Sequence, residues 1–112
     1  YIVTQMFFDN SKYFDFVHKC RAIGINVPVI PGLKPLSTAR QLQILPEIFF
    51  LDIPEDLQKA VKACSAPEQI KQVGIEWTIA QGRELMKAGV PALHFYTMSK
   101  SDNVQAIAKS LF

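Results

Sequence analysis

Four polar side chains are candidates for contact with a ligand, because each lies in or near the end of a predicted strand or at the start of a following helix. They are Gln5, Gln41, His94 and Tyr96. A side-chain amide both donates and accepts hydrogen bonds, so either glutamine could hold an amide group of a ligand. In parallel α/β proteins, ligands bind at the carboxyl ends of the strands. The four side chains therefore form a candidate polar wall.

Ordinary structural interpretations compete with this reading. Gln5 lies in a run that is expected to be buried, where neighbouring backbone groups could satisfy its amide. Gln41 could be a solvated surface amide. For each glutamine, the residues alone favour its own structural interpretation over contact with a ligand. His18 falls on a polar face of its helix and is expected at the surface, whereas Trp77 is expected to pack in the core.

Composition and motifs exclude several classes of chemistry. The chain has 112 residues and a net charge of +2 without a Lys/Arg cluster, which predicts neither a nucleic-acid nor a membrane partner. No apolar run reaches transmembrane length. No Ser/His/Asp set, metal-ligand spacing or glycine-rich phosphate loop is evident. Cys20 and Cys64 are expected to be buried thiols of a reducing compartment, so we expect a cytoplasmic protein.

Three apolar runs predict the strands that position the polar wall: residues 1–8, 27–33 and 90–98. The first and last are expected to be buried, although the fragment taken alone would expose one face and both edges of its sheet. Helical patterns fill the intervals, with a first helix capped near Asp9 and a second covering residues 39–45, with Ser37 or Thr38 as its N-cap. Further helices start near Pro54 and Pro67. The last helix follows candidate N-caps at Ser99 and 101–103.

The alternation of strands and helices predicts a parallel sheet with right-handed crossovers. The fold class is therefore α/β. Three strands cannot close a barrel, and the long helical insert before the last strand resembles the additions found on (β/α)8 barrels. The chain begins at Tyr1 inside a strand-like run, so we expect residues 1–112 to be a single fragment of a longer protein.

Five short motifs occur in one order along nearly the whole chain: VTQMFFD at 3–9, IPGLKP at 30–35, VGIE at 73–76, AGVP at 88–91 and HFYTM at 94–98. Together they resemble the carboxyl-terminal part of the methylenetetrahydrofolate reductase family. The resemblance implies a TIM (β/α)8 barrel, of which this chain supplies about strands six to eight. It also implies FAD as cofactor, NADH or NADPH as reductant, and reduction of 5,10-methylenetetrahydrofolate to 5-methyltetrahydrofolate.

The same resemblance implies roles for particular residues. Gln5, Gln41 and Tyr96 would contact the folate substrate. Lys100 stands where the family commonly has an arginine, and would keep a charge for the folate carboxylate without the two-pronged geometry of arginine. Leu45 stands where some members have an aromatic side chain that stacks on the ligand.

Most residues that hold FAD, and the acidic residue that assists protonation of the folate, would lie upstream. We therefore expect the fragment alone to be inactive and the full-length protein to be a homo-oligomer. The alternative is a non-catalytic α/β module for packing or assembly. Another barrel enzyme, aldolase-like or pterin-binding, would require a lysine inside a strand or a metal set, and neither is evident.

Overall fold

The structure is a computed structural model that describes residues 1–97 and 101–112. Strands and helices alternate as the sequence predicts. In chain order the elements are β1 (Ile2–Met6), α1 (Asn10–Ala22), β2 (Val29–Leu33), α2 (Gln41–Phe49), α3 (Glu55–Lys62), α4 (Pro67–Lys87), β3 (His94–Phe95) and α5 (Asp102–Leu111).

The strands form one parallel sheet in the order β1-β2-β3. Ile2 aligns with Val29, and Gly32 aligns with His94 on the other side of β2. The register between β1 and β2 shifts between Val3 and Met6. The predicted α/β class with a parallel sheet is confirmed. Because all three strands run the same way, their carboxyl ends lie at one edge of the sheet.

The prediction that the first and last strands are buried is wrong for this chain taken alone, in which exposed positions alternate along β1, as expected for a sheet with one uncovered face. Burial alternates along β1, where Val3 and Gln5 are exposed and Met6 is buried. The strand β3 has only two residues, of which His94 is exposed and Phe95 is half-buried. The cause is that part of the sheet surface has no layer over it among the described residues.

Local signals at the helix ends account for some boundaries and not for others. The carboxylate of Asp9 accepts a hydrogen bond from the backbone N–H of Ser11 at 2.9 Å, so this predicted cap is confirmed. The predicted N-cap of α2 at Ser37 or Thr38 is wrong, because α2 begins at Gln41 and continues through Pro46. The α5 helix begins after Ser101, and Ser99 lies outside the described residues.

The longest helix, α4, connects the other elements. Its Trp77 is half-buried and donates from Nε1 to the carbonyl of Phe8 at 2.8 Å, which confirms its predicted packing role. The first apolar cluster fills the space among the end of β1, α2, α3 and α4; its buried members are Met6, Phe8, Leu36, Leu45, Ile53, Leu57 and Val61. The second lies beneath the sheet; its buried members are Phe7, Tyr13, Val29, Leu33 and Leu85.

The surface predictions for His18 and the cysteines have mixed outcomes. His18 is exposed, as predicted. Both cysteines are free thiols, but only Cys20 is buried, and Cys64 is half-buried at the end of α3. The prediction of two buried thiols is therefore correct for Cys20 alone.

Candidate functional site

The carboxyl edge of the sheet opens onto a cavity of about 540 Å³, which we call the edge cavity. Two of its lining residues, Lys34 and Tyr96, directly follow β2 and β3. Its other walls come from the first turns of α2, α4 and α5, including Gln41, Pro67 and Asp102. Of the four side chains predicted to form one polar wall, Gln41 and Tyr96 lie together at this cavity, and Gln5 and His94 are not among its lining residues.

Tyr96 lies across the end of the sheet. Its hydroxyl donates to the carbonyl of Thr4 at 2.8 Å, although Thr4 belongs to β1 and β2 lies between them. The absence of a side chain at Gly32 allows this path, because a Cβ there would be 2.6 Å from Cε2 of Tyr96. The ring of His94 packs edge-on against that of Tyr96 at 4.7 Å. Because its proton is donated to Thr4, the Tyr96 hydroxyl can offer a ligand only an acceptor.

Gln41 is half-buried and organises the loop before α2. Its Oε1 accepts a hydrogen bond from the backbone N–H of Ser37 at 2.8 Å and lies 3.4 Å from the N–H of Thr38. The interpretation of Gln41 as a solvated surface amide is therefore wrong. Since Oε1 is occupied by the backbone, the amide can offer a ligand only the donors of Nε2.

Gln5 lies apart from this pair. It lines a second cavity of about 490 Å³, together with Lys12, Phe16 and Phe50. Its side chain is exposed and makes no hydrogen bond within the described part of the chain, so the expectation of a buried and satisfied amide is wrong. The bond from Tyr96 reaches the carbonyl of Thr4, the residue next to Gln5, but the two cavities share no lining residue.

Two further residues named by the resemblance give no support to the site. Lys100 lies outside the described residues. Leu45 is 4% exposed and packs in the first apolar cluster, so its side chain faces neighbouring apolar groups and cannot stack on a ligand.

Two buried polar groups of the edge cavity were not identified from the sequence. Lys34 follows β2 and is 5% exposed, and burial lowers the pKa of its ammonium group. Asn103, the second residue of α5, is 8% exposed, and its Oδ1 has no hydrogen-bond partner among the described residues. The position of Lys34 between Leu33 and Pro35 in an apolar run was the available signal.

The remaining charged pair of the edge cavity joins α4 to α5. The ammonium of Lys71 is paired with the carboxylate of Asp102. The hydrogen bond from Lys71 lowers the pKa of Asp102, so this carboxylate is ionised at neutral pH. Because Lys71 is paired with Asp102, Lys34 is the buried cation that remains among the described residues lining the edge cavity.

A second polar network, also missed from the sequence, fixes the end of β1. Gln81 donates from Nε2 to the carbonyl of Phe7 at 3.2 Å and to Oδ1 of Asn10 at 3.1 Å. Asn10 donates back to the carbonyl of Gln81 at 3.1 Å and to the carboxylate of Glu84 at 2.9 Å. These bonds attach α4 to Phe7 and Asn10. They therefore limit the movement of the backbone shortly after Gln5.

The described part of the chain holds neither a cluster of metal-binding side chains nor a helix that could span a membrane. Residues 1–97 and 101–112 contain no group of three or more His, Cys, Asp or Glu side chains that could hold a metal ion. Of the helices described here, none combines the length and hydropathy needed to cross a membrane.

We expect Tyr96→Phe to lower the free energy of unfolding by about 1 kcal/mol, because it removes the hydrogen bond to Thr4 and keeps the ring over Gly32. Thermal unfolding of the full-length protein would measure the change. Tyr1→Phe is a matched control, since Tyr1 is 84% exposed. Equal melting temperatures for wild type and Tyr96→Phe would show that this bond does not stabilise the fold.

Comparison with known proteins gives a consistent result over the full chain. The family model "Methylenetetrahydrofolate reductase" matches residues 1–112. The chain is 30% identical over 99% of its length to "Probable methylenetetrahydrofolate reductase (NADPH)" of Caenorhabditis elegans. It is 31% identical over 98% of its length to "Methylenetetrahydrofolate reductase (NADH) 1" of Arabidopsis thaliana. It is 32% identical over 97% of its length to "5,10-methylenetetrahydrofolate reductase" of Pectobacterium carotovorum.

The matched region is a small part of each relative. The chain spans 17% of the nematode protein, 19% of the plant protein and 37% of the bacterial protein. Two of the relatives' names specify different nucleotides, NADPH and NADH. The family predicted from the ordered motifs is confirmed by the match over all 112 residues. The chain belongs to the methylenetetrahydrofolate reductase family.

Proposed function

We propose that the full-length protein is an FAD-dependent oxidoreductase that reduces 5,10-methylenetetrahydrofolate to 5-methyltetrahydrofolate with NADH or NADPH. The supporting observation is that Gln41 and Tyr96 share the edge cavity, while Gln5 lines a separate cavity on β1. The chain supplies part of the folate-binding wall. Within a TIM barrel it would provide about strands six to eight.

The hydrogen-bonding groups left over by the fold suggest how this wall would recognise its ligand. Gln5 can donate and accept at once, which suits the amide-like edge of a pterin and, in turn, the carboxamide of a nicotinamide. Gln41 offers donors, because its oxygen is bound to the Ser37 backbone. Tyr96 offers an acceptor, because its proton is donated to Thr4. Lys100 would add a charge for the folate carboxylate.

FAD, when bound, supplies the electron-transfer chemistry between nucleotide and folate. This chain has a limited part in holding it. Val3 and Gln5 are exposed along β1, which fits a further layer or ligand against this surface. In the family that the chain resembles, most residues that hold FAD are expected upstream of this region. We therefore propose that the residues holding FAD lie in the rest of the full-length protein, and that residues 1–112 alone are inactive.

Several properties of the full-length protein follow from this proposal. Its partners are a folate substrate and a nicotinamide nucleotide, and the net charge of +2 on residues 1–112 gives no support for nucleic-acid or membrane partners. We propose a cytoplasmic homo-oligomer. The competing candidate is a non-catalytic α/β packing module, in which the bonds of Tyr96 and Gln41 would serve only the fold.

Visible absorption spectroscopy of the purified full-length protein separates these candidates. Under anaerobic conditions, NADH or NADPH is added first and 5,10-methylenetetrahydrofolate second. We expect a flavin band that bleaches with the nucleotide and returns with the folate. A colourless protein that gains no flavin band when FAD is added would favour the packing module.

A further inference from the structure

The proposed function leaves one charged side chain of the edge cavity without a role. Lys34 is 5% exposed although it carries an ammonium group. Its Nζ reaches the carbonyl of Pro35 only at 3.5 Å, which is the outer limit for a hydrogen bond. An ammonium has three donors, so this long contact uses little of its capacity. A buried charge with so little compensation is costly to the folded protein.

Asn103 lines the same cavity from α5, and it also has a polar atom whose hydrogen-bonding capacity is unused among the described residues. It is 8% exposed, and its Oδ1 is buried without a partner among the described residues. Buried amide oxygens are nearly always hydrogen-bonded, so an exception requires an explanation. A half-turn of the amide about the Cβ–Cγ bond would present its Nδ2 donors instead. Asn103 can therefore adapt to a group that accepts hydrogen bonds.

The other charges facing the edge cavity decide the sign of its ligand. Lys71 and Asp102 form an ion pair with each other. Glu68 is exposed at the first turn of α4, where solvent and salt screen it. The first turns of α2, α4 and α5 line the cavity, which places the positive ends of three helix dipoles beside it. The interior of the edge cavity is therefore cationic.

We propose that Lys34 and Asn103 bind an oxyanion of the ligand and so determine which ligands the edge cavity accepts. The oxyanion accepts hydrogen bonds from Nζ of Lys34 and, after the half-turn of the amide, from Nδ2 of Asn103. This inference rests on the proposed function, which offers two sources of such a group: a carboxylate of the folate or a phosphate of the nicotinamide nucleotide.

Two variants of the full-length protein test the proposal. Lys34→Met keeps an unbranched side chain and removes the charge. Asn103→Asp is nearly isosteric and places a carboxylate in the first turn of α5, which favours the helix. The same carboxylate would pair with Lys34 and repel an oxyanion. Asn103→Asp should therefore retain the melting temperature of the wild type and lose ligand affinity.

Each ligand is compared with a relative that lacks the anionic group. The first pair is 5-methyltetrahydrofolate and the primary amide of 5-methyltetrahydropteroic acid, which has no carboxylate. The second pair is NADH and 1-methyl-1,4-dihydronicotinamide, which has no phosphate. Dissociation constants are measured for the first pair, and half-saturating concentrations for flavin bleaching are measured for the second.

For one of the two pairs, we expect both variants to weaken binding of the anionic member by about tenfold or more. Binding of the other member of that pair should weaken by less than about twofold. Loss confined to the folate pair identifies a carboxylate, and loss confined to the nucleotide pair identifies a phosphate. Lys19→Met serves as the control, since Lys19 is exposed on α1 and lines neither cavity.

Unchanged values in folded variants would overturn the role of Lys34 and Asn103, as would equal losses for both members of each pair. If Lys34→Met does not fold, Asn103→Asp decides the question alone. A wild-type protein that binds neither folate nor nucleotide would instead reject the proposed function, and this inference with it.

Discussion

Gln5→Glu is expected to slow both half-reactions of the full-length protein by about 10- to 100-fold. The amide of Gln5 is exposed on β1 and is free to donate and accept at once. Glutamate has a similar shape but only accepts, and it brings a negative charge towards a ligand carbonyl. Loss of one donor at a site that recognises an amide costs about 1–3 kcal/mol, and 1.4 kcal/mol corresponds to a factor of ten.

Anaerobic stopped-flow spectroscopy would measure flavin bleaching by NADH and its return with 5,10-methylenetetrahydrofolate as separate rates. Gln43→Glu is the matched control, because it makes the same change on an exposed position of α2. Flavin content and melting temperature should stay at the wild-type values in both variants. Wild-type rates in both half-reactions of Gln5→Glu would remove Gln5 from the ligand-binding wall.

The environment of Gln5 shows why sequence patterns identified it as a candidate for contact with a ligand but did not predict that its side chain is exposed. The run from Tyr1 to Phe8 is as apolar as a strand covered on both faces. Its burial depends on layers that the rest of a longer protein supplies, and the described residues do not provide them. Val3 and Gln5 are therefore exposed. A local pattern reports what a strand is suited to contact, whereas burial requires the contact itself.

The hydrogen bonds of Gln41 and Tyr96 could not be predicted, because they depend on exact chain paths. Periodicity predicted that Gln41 lies at the start of a helix. It did not predict that the side-chain oxygen of Gln41 accepts a hydrogen bond from the N–H of Ser37. Alternation placed His94 and Tyr96 on one face, and their packed rings confirm this. Nothing in the spacing indicated that Tyr96 would cross β2 to Thr4. Each side chain consequently uses part of its hydrogen-bonding capacity for the fold and leaves a defined remainder for a ligand.

Buried polar residues mark the other limit of sequence analysis. Lys34, Asn103 and Gln81 belong to types that are usually exposed, so their types favour a surface position. Their burial follows from loops and helix ends that converge on the same cavity or on the end of β1. Such convergence depends on residues far apart in sequence, such as Phe7 and Gln81, and no local pattern encodes it.

Gly74→Ala is expected to lower the free energy of unfolding of the full-length protein by about 2 kcal/mol, at the upper end of the net range. A Cβ at this position would be 1.6 Å from the carbonyl oxygen of Leu36 and 2.6 Å from its carbonyl carbon. These are backbone atoms of a buried residue, so relief requires α4 to move away from the loop. Overpacking of this kind costs about 1–3 kcal/mol, occasionally more, and the better helix propensity of alanine returns only about 1 kcal/mol.

Gly82→Ala provides the control within the same helix. A Cβ there would be 2.6 Å from Cδ1 of Leu111, the end of a flexible side chain that can rotate away. We expect little change in the melting temperature of Gly82→Ala and a clear decrease for Gly74→Ala. Because Leu36 follows the segment that carries Lys34, displacement of α4 at Gly74 should also weaken ligand binding at the edge cavity. Equal melting temperatures for the two variants would show that the loop adjusts to α4, and that the contact at Gly74 does not fix the cavity wall.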